Sequence, residues 1–195
     1  MSRVKSALEK AMEKMESIGS LSTEEREAIR DSDNLRILLA SFYKGELSKD
    51  ALWEKMKDFR PTLLKEAQMG MVNSLRLASL PEEFHLRCDG ILAIESLKKT
   101  PRISALENVL ASIGKVQKEY QEIKEGAIAE LRQAIETNPQ MRMRHMKAAD
   151  GRTYPMAMTV EEAIQTRMAE FLPEHEKRYE TLFTRTLEKL LAELR

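Results

Sequence analysis

The sequence predicts a mainly α protein, an elongated helical bundle with one long helix over about 101–137 and a single β-hairpin at about 141–158. Three observations carry that expectation. Aromatics make up only 5% of the chain, glycines number 7 and prolines 6, and the helix-favouring residues Ala, Leu, Glu, Lys, Arg and Met dominate. Apolar residues recur at steps of three and four along most of the length, the period of one helix face. One stretch, residues 140–160, abandons that period and alternates around an Asp-Gly pair.

Val4, Leu8, Ala11, Met12, Met15 and Ile18 form a first stripe, stopped by Gly19. Ser22 with Glu25 has the spacing of a capping box and predicts a second, short helix. A third follows Asp33, with Leu35, Leu38, Leu39 and Phe42 on one side and Gly45 as its stop. Ser48 can cap a fourth that carries Leu52, Trp53, Met56 and Phe59. Pro61 and Pro81 suit the first turns of a fifth and a sixth, the latter bearing Phe84, Cys88, Ile91, Leu92 and Leu97.

Thr100-Pro101 reads as an N-cap and first-turn proline. From there Ile103, Leu106, Leu110, Ile113, Val116, Tyr120, Ile123, Ala127, Leu131 and Ile135 mark a pattern unbroken to Thr137. Such a helix is about 55 Å long and suits a bundle or coiled coil. Gln117 and Lys124 fall near its seam, and Gly114 and Gly126 suggest a bend or a close crossing. Asn138-Pro139 ends it. Thr159 with Glu162 repeats the capping-box spacing before Ala163, Ile164, Met168 and Phe171. Pro173 should open or kink the last helix, whose face of Tyr179, Leu182, Phe183, Leu187, Leu190, Leu191 and Leu194 needs a partner. The expectation is six to eight helices in a single domain spanning 1–195. Within it, 1–60 forms a possible N-terminal helical subregion, 140–159 the hairpin and 160–195 the C-terminal helices.

Closing the hairpin on Asp150-Gly151 pairs Ala149 with Arg152, Lys147 with Tyr154, His145 with Met156 and Met143 with Met158. Side chains alternate along a strand. One face then carries Met141, Met143, His145, Tyr154, Met156, Met158 and Val160, with Lys147 and Arg152 near the tip. The other carries Arg142, Arg144 and Met146. Pro155 lacks an N–H and requires an edge. The methionine face is expected to rest on the protein's own helices, or on a second subunit or partner. Met141, Met143, Tyr154, Met156 and Met158 are therefore the candidate partner-binding residues. Arg142, Arg144, Lys147 and Arg152 beside an aromatic are the candidate nucleic-acid contacts.

Other chemistry is sparse. Lys plus Arg and Asp plus Glu both number 32, so the net charge is zero and no global field draws the chain to nucleic acid or anionic lipid. Cys88 is the only cysteine, which excludes an intramolecular disulfide. No apolar run approaches a membrane span, the first residues lack a signal-peptide core, and the expected setting is cytoplasmic. Glu82, His85 and Cys88, three apart, would share a helix face as in a metal site, but only one half of a di-iron constellation is present. The pairs Met141/Met143 and Met156/Met158 with His145 have the ligand types for Cu(I). Residues 34–59 invite comparison with a DNA-binding helix-turn-helix. The mixed charge of Lys49, Asp50, Glu54, Lys55, Lys57 and Asp58 favours instead an αα-hairpin anchored by Phe42, Trp53 and Phe59. No phosphate loop and no set of nucleophile, base and oxyanion donors is present. The sequence thus predicts a non-catalytic interaction or assembly protein without cofactor, small-molecule substrate or membrane association, whose partner is another protein or itself as a homodimer. A nucleic-acid-associated protein and a metal-binding bundle are the alternatives.

Overall fold

A computed structural model describes residues 22–147 and 153–194. The helix expected over residues 4–18, the Asp150-Gly151 turn and Arg152 lie outside the described residues. Element order is α1 (Thr23–Tyr43), α2 (Lys49–Met56), α3 (Pro61–Asn73), α4 (Pro81–Ser96), α5 (Ile103–Thr137), a 3-10 turn (Pro139–Arg142), β1 (Met143–Lys147), β2 (Thr153–Ala157) and α6 (Val160–Glu193). The fold is mainly α with one hairpin. It divides into two compact units, residues 1–67 and 68–195, with the boundary inside α3.

In the first unit, Ser22 and Glu25 do close a capping box. The Glu25 N–H donates to Ser22 Oγ at 3.1 Å and the Ser22 N–H to Glu25 Oε2 at 2.8 Å. The helix they start does not stop short. It runs 21 residues through Asp33, so the expected second and third helices are one. Asp33 has the chemistry of a cap, but continuing the helix keeps Leu35, Leu38 and Phe42 buried on the face they share. The end is a Schellman motif. Gly45 adopts φ +74°, its N–H donates to the Phe42 carbonyl at 2.9 Å, and the Glu46 N–H reaches the Ser41 carbonyl at 3.0 Å. Ser48 caps α2 through the Ala51 N–H. Leu52 and Met56 are buried there, whereas Trp53 is 39% exposed and is not the core anchor expected of it. In an eight-residue helix, the stripe of Leu52 and Met56 already fills the single inward face.

The second unit is built on α5 and α6, which run antiparallel. Arg102 Nη1 lies 3.6 Å from Glu193 Oε2, the rings of Tyr120 and Tyr179 are 5.8 Å apart, and Arg132 Nη1 meets Glu161 Oε1 at 2.9 Å. The α5 helix begins at Ile103, not at Pro101, with Arg102 as its N-cap. The reason is Glu95, buried at the end of α4, whose Oε1 accepts the Arg102 N–H at 3.0 Å. Its other oxygen receives Gln68 Nε2 at 2.8 Å and Lys98 Nζ at 2.6 Å. The seam irregularity at Gln117 is also structural: the buried amide donates to the Arg76 carbonyl at 2.6 Å. Gly114 marks the close crossing, because a Cβ there would lie 3.0 Å from Phe84 Cε1, while a Cβ at Gly126 would meet nothing within 4 Å. The α6 helix is continuous for 34 residues, with Pro173 inside it and not at a break. Proline costs that helix one hydrogen bond, to the Ala169 carbonyl. Burial of Met168 before it and of Tyr179, Phe183 and Leu190 after it against α5 outweighs the loss.

Two outcomes follow. Gly126→Ala should stabilise the protein by about 1 kcal/mol through helix propensity alone, while Gly114→Ala should fail to stabilise it because the Phe84 ring is buried. A thermal melt of each variant checks the contrast. For Glu95, burial opposes ionisation, but the hydrogen bonds from Lys98, Gln68 and the Arg102 N–H outweigh it and hold the carboxyl below its usual range. With the folded value depressed, its contribution is complete above the ordinary carboxyl value and is lost as pH falls through the lowered one. Glu95→Gln should cost about 1–3 kcal/mol at neutral pH and flatten the acid side of the stability profile, as measured by urea unfolding at a series of pH values.

Candidate functional site

The β-ribbon grows out of the junction where α5 ends and α6 begins. Asn138 turns the chain, its Oδ1 accepting the Gln140 N–H at 3.2 Å, and Pro139 opens one 3-10 turn. On the return, Thr159 caps α6 in a full capping box with Glu162, whose carboxyl the Thr159 N–H and hydroxyl hold below its usual range. Between these ends lies a core cluster of Ile135, Ala163, Ile164 and Met168, against which Met141, Met158, Val160 and Leu131 are partly buried. Met141 and Met158 are therefore anchors at the base of the ribbon. Only they, of the five expected partner-binding residues, rest on the protein's own helices.

The strands pair one residue out of the expected register. Met143 lies opposite Ala157, Arg144 opposite Met156, His145 opposite Pro155, Met146 opposite Tyr154 and Lys147 opposite Thr153. A slip of one residue moves one strand's side chains to the other face relative to its partner. The expected methionine-rich face and basic face are therefore mixed. One face carries Arg144, Met146, Tyr154 and Met156, the other Met143, His145, Pro155 and Ala157. The physical reason is at the base. Met141 and Met158 are held in the core cluster and the Met158 N–H donates to the Arg142 carbonyl at 2.9 Å, which sets the register before the chain reaches the Asp-Gly pair. The last described pair is Lys147 with Thr153, and residues 148–152 lie outside the described residues.

Stepping by two from the bonded pair Arg142/Met158 makes Arg144/Met156 and Met146/Tyr154 the hydrogen-bonded pairs. Met143, His145 and Lys147 on β1, and Thr153, Pro155 and Ala157 on β2, then turn their backbone groups outward. Pro155 costs the ladder nothing, because its missing N–H faces the edge. Among the described residues the sheet has these two strands alone, so both edges are unpaired by any third strand.

Beside the ribbon's base, α5 and α6 leave an open groove of about 770 Å³ lined by Ile123, Ala127, Leu131, Phe171, Glu130 and Arg167 among others. It occupies the stretch where α5 has no fully buried side chain between Tyr120 and Ile135, and α6 none between Met168 and Tyr179. Phe171 stacks on His175 with ring centroids 4.3 Å apart. Sequence reasoning missed this groove. The only signal for it was the run of small residues Gly126, Ala127, Ala129 and Ala134 on a helix otherwise rich in large ones.

The remaining candidates do not assemble. Glu82 and His85 are exposed, and among the described residues no three His, Cys, Asp or Glu side chains converge to hold a metal ion. Burial, with Asp89 adding to it, pushes the Cys88 thiol up to about 12, so the thiol is protonated at neutral pH. The Cu(I) set is dispersed, since Met141 and Met158 pack inward and Met143 and Met156 fall on opposite faces. Arg142 is half-buried and Arg144 exposed, Lys147 ends β1, and Arg152 lies outside the described residues.

The family described as "Family of unknown function (DUF6657)" matches residues 49–192, which include the ribbon and both long helices. No curated protein and no solved structure matches the chain.

The division of the ribbon into anchor and exposed strand has a measurable consequence. Met141→Ala should cost about 1–2 kcal/mol, because half-buried apolar surface leaves the cluster. Met143→Ala should stay within about 0.5 kcal/mol of wild type. Urea midpoints with unchanged slopes would establish the difference.

Proposed function

We propose that this chain, which belongs to that family of unknown function, is a non-catalytic interaction or assembly protein whose contact element is the β-ribbon carried by α5 and α6. The observation that supports this most is exposure. Met143, Met146, Tyr154 and Met156 are all between 44% and 50% exposed on a two-stranded ribbon. Met146, Tyr154 and Met156 share one face, and exposed apolar side chains grouped in this way mark contact sites more often than scattered ones do. A two-stranded ribbon is marginal on its own; here two methionines pin its base and leave its strands to solvent. A rigid helical pair presenting such an element suits docking to a protein partner, a second copy of the chain included. A cytoplasmic setting belongs to the same proposal and rests on the sequence alone. No described helix is long and apolar enough to cross a membrane.

The observed register lends a second reading some support. Arg144 shares a face with Tyr154, and Arg142 stands two residues before it, an arrangement of cation and aromatic that can hold single-stranded nucleic acid. The zero net charge favours the first reading.

Replacing residues 143–157 with a short Gly-Ser linker tests the proposal. The melt should shift little, because Ile135, Ala163, Ile164 and Met168 remain packed, while the proteins that co-purify with the chain should be lost. Co-purifying proteins left unchanged would overturn the reading. Salt-dependent oligonucleotide binding abolished by Arg142→Ala with Arg144→Ala would favour the second.

A further inference from the structure

We infer that the outer edge of β1 is an acceptor for an extended acidic strand of a partner protein, added antiparallel or parallel to the ribbon as a third strand. The inference rests on the reading of the ribbon as the contact element and says which of its edges is used and by what.

The two edges are not equivalent. Both turn outward the backbone of every second residue, and on β2 the middle one of these is Pro155, which has no N–H to offer. A strand approaching β2 meets a missing donor at the centre of the edge. On β1 the corresponding residues are Met143, His145 and Lys147, each with an N–H and a carbonyl. The Met158 N–H bond to the Arg142 carbonyl fixes this phase. Pro155 thus guards one edge and leaves the other permissive, and strand addition supplies affinity through such main-chain bonds.

Charge selects the occupant. The two strands, Met143–Lys147 and Thr153–Ala157, carry Arg144 and Lys147 and not one carboxylate, and Arg142 directly precedes β1. Asp150, between the strands, lies outside the described residues, and Glu161, beyond β2, is engaged by Arg132 at 2.9 Å. A second copy pairing β1 with β1 would double the cations of Met143–Lys147 and of Arg142 on one short sheet without adding a carboxylate, which like-charge repulsion disfavours. An acidic segment alternating with apolar residues sets its carboxylates on the face of Arg142 and Arg144 and its apolar side chains on the other face, where Met143 is exposed. A nucleic acid would answer the cations but leave the outward N–H and carbonyl groups of β1 unmatched.

The probe is a short synthetic peptide alternating Glu and Val, with its Lys-Val counterpart as control, titrated into the full chain while amide exchange is followed residue by residue. The expected result is slowed exchange at Met143, His145 and Lys147 with the Glu peptide and not with the Lys peptide. His145→Pro removes an outward donor without touching a ladder bond and should weaken binding about tenfold with the melt unchanged. Arg144→Glu should weaken it comparably, and Pro155→Val should leave it intact. Protection on the β2 edge, equal binding of both peptides, or binding undiminished in His145→Pro would each overturn the inference. So would protection absent with the peptide but strong, salt-dependent binding of an oligothymidylate. If the peptide fails while the linker replacement of 143–157 still abolishes co-purification, this inference falls and the proposed function stands. If co-purification also survives that replacement, both fall.

Discussion

The antiparallel pairing of α5 with α6 is the constraint on which the rest of the second unit depends. It is held along its length by unlike contacts: Arg102 with Glu193 at one end, the Tyr120 and Tyr179 rings in the middle, and Arg132 with Glu161 beside a methionine-containing cluster at the other. The exposed ion pairs contribute little individually. They locate the helices against each other, while burial of Leu106, Leu110, Ile113, Phe183 and Leu190 supplies the free energy. Because the two helices run in opposite directions, the chain between Thr137 and Val160 must reverse at one end, and the ribbon is that reversal.

Three polar side chains are buried among the described residues, and each is used. Gln68 on α3 donates to Glu95 at the end of α4, Glu95 in turn accepts the Arg102 N–H at the start of α5, and Gln117 ties α5 to the carbonyl of Arg76. No described buried side-chain polar atom lacks a partner. A buried polar group with its bonds made is nearly neutral for stability but costly to leave unsatisfied, so such groups specify one arrangement more than they strengthen it. Where the seam has no fully buried side chain, between Tyr120 and Ile135, the helices leave the open groove of about 770 Å³.

The ribbon's chemistry follows from the same economy of anchoring. Met141 and Met158 sit in the cluster and are structural, so the proposed contact surface narrows to the exposed Met143, Met146, Tyr154 and Met156. Met146 enters that set because of the register; the alternation read from the Asp-Gly pair had put it on a basic face. The same register turns Pro155 from a mere irregularity into an edge with a missing donor.

Residue chemistry alone determined the helical class, both capping boxes, the Gly45 stop, the long helix to Thr137 and the presence of one hairpin, because each of these depends on neighbours within about one or two turns. Tertiary structure decided what local rules leave open. Asp33 and Pro173 look like breaks but lie inside continuous helices, since the burial they interrupt outweighs a lost cap or a lost bond. Trp53 looks like core and is exposed, because Leu52 and Met56 fill the inward face of a short helix. Above all, the hairpin's existence was legible in residues 140–160, but its register was not. A strand's register is set wherever its side chains are most firmly held. Here that is at the base, by Met141 and Met158 in a cluster built from residues on both long helices, and not at the Asp-Gly pair where the sequence signal is strongest.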